Sequence, residues 1–111
     1  MKMSEVASHL NLTSRTSGAE DAEITGGYVS DLLSDVLANA KLGNIWVTNQ
    51  KHQNCIAVAS LLGLAGLVIA GGVNPDENTI EKATSENVPL YTAEQNAFEV
   101  VGKLHDLGVT G

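Results

Sequence analysis

Glu23-Ile24-Thr25-Gly26-Gly27-Tyr28-Val29-Ser30-Asp31-Leu32-Leu33-Ser34-Asp35-Val36-Leu37 is the stretch on which the fold turns. Glu23 to Thr25 reads as the end of a strand, and Gly26-Gly27 as a turn permitting positive φ. Ser30 or Asp31 then caps a helix. Leu32, Leu33, Val36, Leu37 and Ala40 recur in it at helical spacing and mark one apolar face. Lys41 stands near its end and Gly43 stops it. A strand, a polar turn and an amphipathic helix in succession make the repeating unit of an α/β domain.

The unit recurs toward the C-terminus. Ile45 to Thr48 reads as a strand. Asn54 or a neighbour opens a helix that runs through Ala57, Val58, Leu61 and Leu62 to Gly63. Leu67 to Ala70 reads as a buried strand turned by Gly71-Gly72. Pro75 prepares the next helix start, where Asp76 and Glu77 suit the positive end of the dipole. Ile80 and Ala83 face inward on it, and Asn87 ends it. Val88 to Tyr91 is a further strand. Thr92, with Gln95 three residues on, forms a capping-box pattern for a last helix carrying Phe98, Val101, Leu104 and Leu107 on one side. Upstream, Ser4 suits the N-cap of a short helix to Leu10, and Asn11 to Gly18 suits a weak edge strand. The alternation predicts one α/β domain over residues 1–111. Its sheet is mainly parallel, of about 4–5 strands, and flanked by helices.

Composition narrows the function. The chain has 111 residues, 43% of them apolar, and a net charge of −7. Neutralising a phosphate backbone takes clustered Lys and Arg, and this sequence has no basic stripe. Nucleic acid is therefore not an expected partner, and neither is an anionic membrane. The apolar run from Cys55 to Gly72 is shorter than the roughly 20 residues of a membrane span and is broken by Gly63 and Gly66, so it reads as buried helix, turn and strand. The N-terminus lacks the apolar core of a secretory signal. Cys55 is the single cysteine. It precludes an internal disulfide and a cysteine-built metal site, and the expected compartment is the reducing cytoplasm. It reads as core, with reactivity open if a helix N-terminus lowers its pKa.

Ligands of open α/β sheets bind beyond the carboxyl ends of the strands. Four turns are expected at that edge: Thr25-Gly26-Gly27, Thr48 through Asn54, Ala70-Gly71-Gly72, and Tyr91-Thr92. They carry short polar residues in place of bulky apolar ones. Backbone amides and helix N-termini there suit a small anionic or nucleotide-like ligand. Lys51 or His52 would supply charge. Thr25, Thr48, Asn49, Gln53, Asn54 and Thr92 would supply hydrogen bonds, and Gly26, Gly27, Gly71 and Gly72 close backbone approach. Ordinary turn and cap chemistry asks for the same residue types. Neither Gly-x-Gly-x-x-Gly nor Gly-x4-Gly-Lys-Ser/Thr is present, which sets P-loop phosphoryl transfer aside. His52 is the residue best suited to proton chemistry, with Asn54 or Thr25 as partners if the chain were a small enzyme. Asp31 and Asp35, four apart, favour the helix N-terminus more than a metal, and no metal or cofactor is expected. Trp46 and Tyr28 are either core or the centre of an interface.

The stretch Glu23 to Leu37, with Asn44-Ile45-Trp46-Val47-Thr48-Asn49-Gln50-Lys51-His52-Gln53-Asn54 and Ala70-Gly71-Gly72, resembles the DRTGG domain. Thr25-Gly26-Gly27 matches the signature in full. Glu23-Ile24 stands where the signature has Asp-Arg, so the acid is kept and the arginine is lost. The resemblance covers nearly the whole chain and implies a fold similar to the N-terminal domain of HPr kinase/phosphorylase. Related modules occur in phosphate acetyltransferases and in pyrophosphatases with CBS domains. There they are associated with dimer contacts or regulation while other domains catalyse. The resemblance thus implies a stand-alone, non-catalytic regulatory module that forms a homodimer and senses a nucleotide-like or phosphorylated ligand. It also implies an alternative, a scaffold that docks a redox enzyme of the hydrogenase type.

Overall fold

The computed structural model describes residues 1–111. The elements run α1 (Met3–Leu10), β1 (Thr13–Ser14), β2 (Gly26–Val29), α2 (Leu33–Asn39), β3 (Asn44–Thr48), α3 (Asn54–Leu62), β4 (Gly66–Ile69), α4 (Glu77–Ser85), β5 (Leu90–Thr92) and α5 (Ala97–Asp106). They build a five-stranded sheet in the order β1-β5-β4-β3-β2. Strands β2 to β5 are parallel to one another, and β1 alone is antiparallel, against β5. This is the expected α/β architecture.

From β2 to β5 each strand lies beside its predecessor, always stepping the same way. Right-handed crossovers then place α2, α3 and α4 on one face. Alternation along β3 shows the consequence. Trp46 packs with Val36, Ile56 and Ala83 on the three-helix face, whereas Ile45 and Val47 pack with Met3, Val6, Val100 and Leu104 of α1 and α5 on the other. Every residue of β3 and β4 is buried, because both faces of the central strands are covered. Trp46 is core, its indole N–H donating to the carbonyl of Ser30 at 2.9 Å. The weak edge strand expected near the N-terminus is β1, two residues long and therefore a blunted edge.

Gly26-Gly27 corrects the sequence reading. The pair is the start of β2, in register with Asn44 and Ile45, and neither glycine has positive φ. Glycine is required for another reason. A Cβ on Gly26 would lie 2.7 Å from the carbonyl oxygen of Thr110 and 3.3 Å from Nδ2 of Asn44. The chain after α5 returns here, and Gly27 N–H donates to Thr110 at 3.0 Å.

Capping differs in three places. At α2 the N-cap is Leu32 in place of Ser30 or Asp31, and the Ser30 hydroxyl oxygen accepts the Leu32 N–H at 3.1 Å ahead of the helix. Thr92 is the last residue of β5, and α5 starts five residues later, where the Asn96 side chain accepts from Glu99 N–H at 3.0 Å. The backbone of Thr92 pairs with Ile69 and Thr13, so it cannot also open a helix. At α1 the N-cap is Lys2, and both the N–H and the hydroxyl of Ser4 donate to Asp21. Helix phase differs as well. Leu32 precedes α2 and is exposed, as are Leu37, Leu61 and Phe98, the last at 84%. The buried stripes are Val36 and Ala40, then Cys55, Ile56, Val58 and Ala59, then Val100 and Leu104. The Cys55–Gly72 run divides into α3, a turn at Gly63 and β4. No helix is long and apolar enough to cross a membrane.

Candidate functional site

The carboxyl ends of β2, β3, β4 and β5 form one rim, with a groove of about 460 Å³ lined by Asp31, Asn49, Gln50, Lys51, His52 and Val73. The loop from Asn49 to His52 lines it, and it is tied from both sides. Toward β2, Oδ1 of Asp31 accepts from the Thr48 hydroxyl at 2.7 Å and from Asn49 N–H at 2.8 Å. Gln50 adds two bonds, its side-chain amide to the Asp31 carbonyl at 2.8 Å and its N–H to the Thr48 hydroxyl oxygen at 3.2 Å. Toward α4, the buried hydroxyl of Thr79 donates to the carbonyl of Lys51 at 2.7 Å.

Those ties present Lys51 and His52 side by side. Both face Asp76, with Lys51 Nζ 4.0 Å from its Oδ1 and His52 Nδ1 3.3 Å from its Oδ2. Asp76 occupies the N-cap position of α4, yet its side chain makes no capping bond. Its carboxylate is turned to the two bases. All three side chains are open to solvent, so their mutual attraction is on the order of 1 kcal/mol or less and an incoming anion can replace it.

Three of the expected residues thus line one groove: Asn49, Lys51 and His52, with Thr48 fully buried beneath them. The others lie elsewhere. Thr25, Gly26 and Gly27 are at the amino end of β2, the opposite edge of the sheet, because Gly26 pairs with the first residue of β3. Thr25 has an architectural part there. Its hydroxyl donates to the carbonyl of Leu42 at 2.8 Å and accepts from the Asn44 side chain at 3.1 Å, fixing the turn into β3. Thr25 therefore does not converge with His52.

Gly71 and Gly72 do turn at the rim with positive φ, as expected. Their N–H groups are already used, donating to the carbonyls of Gln95 at 2.7 Å and Ala93 at 2.9 Å. They offer no free amide nest to an anion. Gln53 and Asn54 form the exposed start of α3 outside the groove lining, and Thr92 ends β5 at the rim but also lies outside that lining.

Sequence reasoning missed Asp31, Gln50, Val73 and Asp76 as site residues. The signal for Asp31 was present, an acid directly after a strand and before a helix, but it reads equally as helix-dipole chemistry. Asp35, four residues on, has separate partners. The Tyr28 hydroxyl donates to it at 2.7 Å and, with the Asn39 amide, holds its carboxyl below the usual range. No three His, Cys, Asp or Glu side chains converge on one point. Cys55 departs from the open expectation of a reactive thiol. Burial first, and the Asp31 carboxylate second, push it up to about 11.

A second hollow, of about 280 Å³, lies on the other face beside β2. Val29, Val47, Val101, Leu104 and Val109 make it apolar, with Tyr28 and His105 also in its lining. Of these two hollows, the strand-end groove is the more polar.

A parallel α/β module with a polar groove at its strand ends and no P-loop is thereby defined. The DRTGG domain model matches residues 6–107, and the chain belongs to that family. Among solved structures it is similar to the CBS and DRTGG domains of the regulatory region of Clostridium perfringens pyrophosphatase, complexed with the activator diadenosine tetraphosphate. The TM-score is 0.68 at 16% identity, over 90% of this chain and 44% of that one. The chain thus spans less than half of that neighbour, which carries CBS domains as well. No curated protein matches the sequence.

Proposed function

We propose that this DRTGG domain is a non-catalytic regulatory module that senses a nucleotide-like or phosphorylated ligand in the groove at the carboxyl ends of β2, β3 and β4. The observation that carries the reading is the doubly tied loop holding Lys51 and His52 together over the groove. An anion meeting preset donors loses less entropy than one that must order a loop. The similar pyrophosphatase region, bound to an adenine dinucleotide activator, supports a nucleotide as the ligand class. The net charge of −7 opposes anion approach at long range. Beyond about 8 Å that repulsion is screened at physiological ionic strength, so the groups lining the groove decide the balance.

A thermal-shift screen with ATP, ADP and inorganic triphosphate, followed by calorimetry, tests the reading. At 100 times Kd a ligand stabilises by about 2.7 kcal/mol, which for a domain of this size is roughly ten degrees. The shift is expected to vanish in a Lys51→Met, His52→Ala double variant. Unchanged binding in that variant would remove the groove from consideration.

A second reading, docking to protein, draws on the exposed Leu32, Leu37, Leu42, Leu61 and Phe98. It covers both a homodimer and a redox-enzyme partner. Sedimentation of the unmodified domain at high concentration tests the homodimer directly, and a monomer throughout would leave only a heterologous partner.

A further inference from the structure

The groove carries charge of both signs, which a site for phosphate alone does not require. Lys51 and His52 stand on the α4 side, and the Asp31 carboxylate stands on the β2 side. A bare phosphate would be drawn to the first and repelled by the second. Asp31 is also asymmetrically used. Its Oδ1 takes both the Thr48 hydroxyl and the Asn49 N–H, which fixes the plane of the carboxylate. Its Oδ2 accepts no hydrogen bond from the protein, and the residue is exposed in the groove lining. What remains is an oriented acceptor, open to solvent and free to take a ligand's neutral donor.

On these grounds, and resting on the reading that the groove takes a nucleotide-like ligand, we infer that Asp31 accepts from the sugar hydroxyls of a ribonucleotide whose phosphates lie against Lys51 and His52. Ribose and phosphate are covalently adjacent, so one ligand satisfies both sides of the groove. Dinucleotide-binding Rossmann sheets, which this chain does not match in motif, use a carboxylate in the same way for a ribose hydroxyl. The assignment gives Asp31 a specificity role: it favours ribonucleotides over deoxyribonucleotides and over inorganic polyphosphate.

Calorimetry on the unmodified domain with ATP, 2′-deoxyATP, 3′-deoxyATP and inorganic triphosphate tests this, alongside Asp31→Asn. Asparagine keeps an oxygen for Thr48 and Asn49 and replaces the free acceptor by a donor. ATP is expected to bind about tenfold more tightly than at least one deoxy analogue, as suits a hydrogen bond to a charged group. Asp31→Asn is expected to abolish that preference and to bind triphosphate more tightly. Equal affinity for ATP and both deoxy analogues would overturn the sugar assignment while leaving the groove as a nucleotide site, and so would a preference that persists in Asp31→Asn. Binding of none of the four would overturn the groove reading itself. The comparison of ligands on the unmodified protein decides the matter even if the variant does not fold.

Discussion

The Thr48 hydroxyl donates to Oδ1 of Asp31 over 2.7 Å, linking the ends of two neighbouring parallel strands. Thr48 has no exposed surface, and the same hydroxyl oxygen accepts Gln50 N–H. One buried side chain therefore sets both the carboxylate plane of Asp31 and the course of the loop that carries Lys51 and His52.

Thr48→Val keeps the shape and removes both bonds. A loss of about 1–3 kcal/mol is expected, because a charged acceptor and a backbone donor lose a partner together. Urea unfolding reads the loss, and calorimetry should show weaker ATP binding in the same variant. An unchanged midpoint would mean that the hydroxyl does not organise the rim.

Asp76 occupies the two bases that an incoming phosphate needs. Asp76→Asn is expected to leave stability within about 0.5 kcal/mol, since the pairs are exposed and no capping bond is lost. It should raise affinity for ATP about two- to fivefold by removing an internal competitor. Weaker binding would show that Asp76 positions Lys51 and His52 and does not compete for them.

Gly26→Ala tests the architectural reading of the Thr-Gly-Gly signature. The new Cβ meets a backbone carbonyl at 2.7 Å, so the segment after α5 must shift, at a cost of about 1–3 kcal/mol. The thermal midpoint should fall while ATP affinity stays unchanged, because Gly26 lies at the other end of the sheet. A folded Gly26→Ala protein that had lost ATP binding would place the ligand at the wrong edge of this account.

Cys55 makes stability depend on alkaline pH. Its thiol titrates at about 11 in the folded chain against an ordinary 9.0. Between those values the unfolded chain has lost the proton and the folded chain keeps it, so stability falls as pH rises through the window. The loss is on the order of 2–3 kcal/mol for a shift of this size. Urea midpoints of the unmodified protein and Cys55→Ala, compared from pH 8 upward at roughly unit steps, should converge toward the upper end. Parallel curves would contradict the shift. Below pH 9 the native thiol should also resist alkylation that it accepts once unfolded.

Tyr28 and Asp35 give the opposite sign at acid pH. Asp35 is held low chiefly by the Tyr28 hydroxyl. Its contribution is complete above the ordinary carboxylate value and is lost as pH falls through the folded value. Tyr28→Phe should raise the Asp35 titration seen by NMR, and no movement would show that the bond does not form in solution.

The sequence by itself determined the elements and their class. The apolar run Ile45-Trp46-Val47 in β3, helical spacing in α4 and the glycine stop at Gly63 are local signals, and local sterics fix local conformation. The family resemblance rested on those same stretches. The strand order was not legible there; the sheet pairing gives it, with β2 to β5 side by side in chain order as short right-handed crossovers favour.

Only the tertiary structure decided which edge each turn occupies and what each polar side chain does. Gly26-Gly27 fits a turn or a strand start equally well by local pattern; pairing with Asn44 and Ile45 chose the strand. The same holds for Asn44, whose side-chain amide donates to the Thr25 hydroxyl oxygen across 19 residues, and for Asn49, whose backbone N–H donates to Asp31 across 18. Asp31 meets Thr48 across 17 residues, and Asp76 meets His52 across 24. Hydrogen bonds are short-ranged and directional, so such pairs exist only once the sheet has brought distant strand ends side by side.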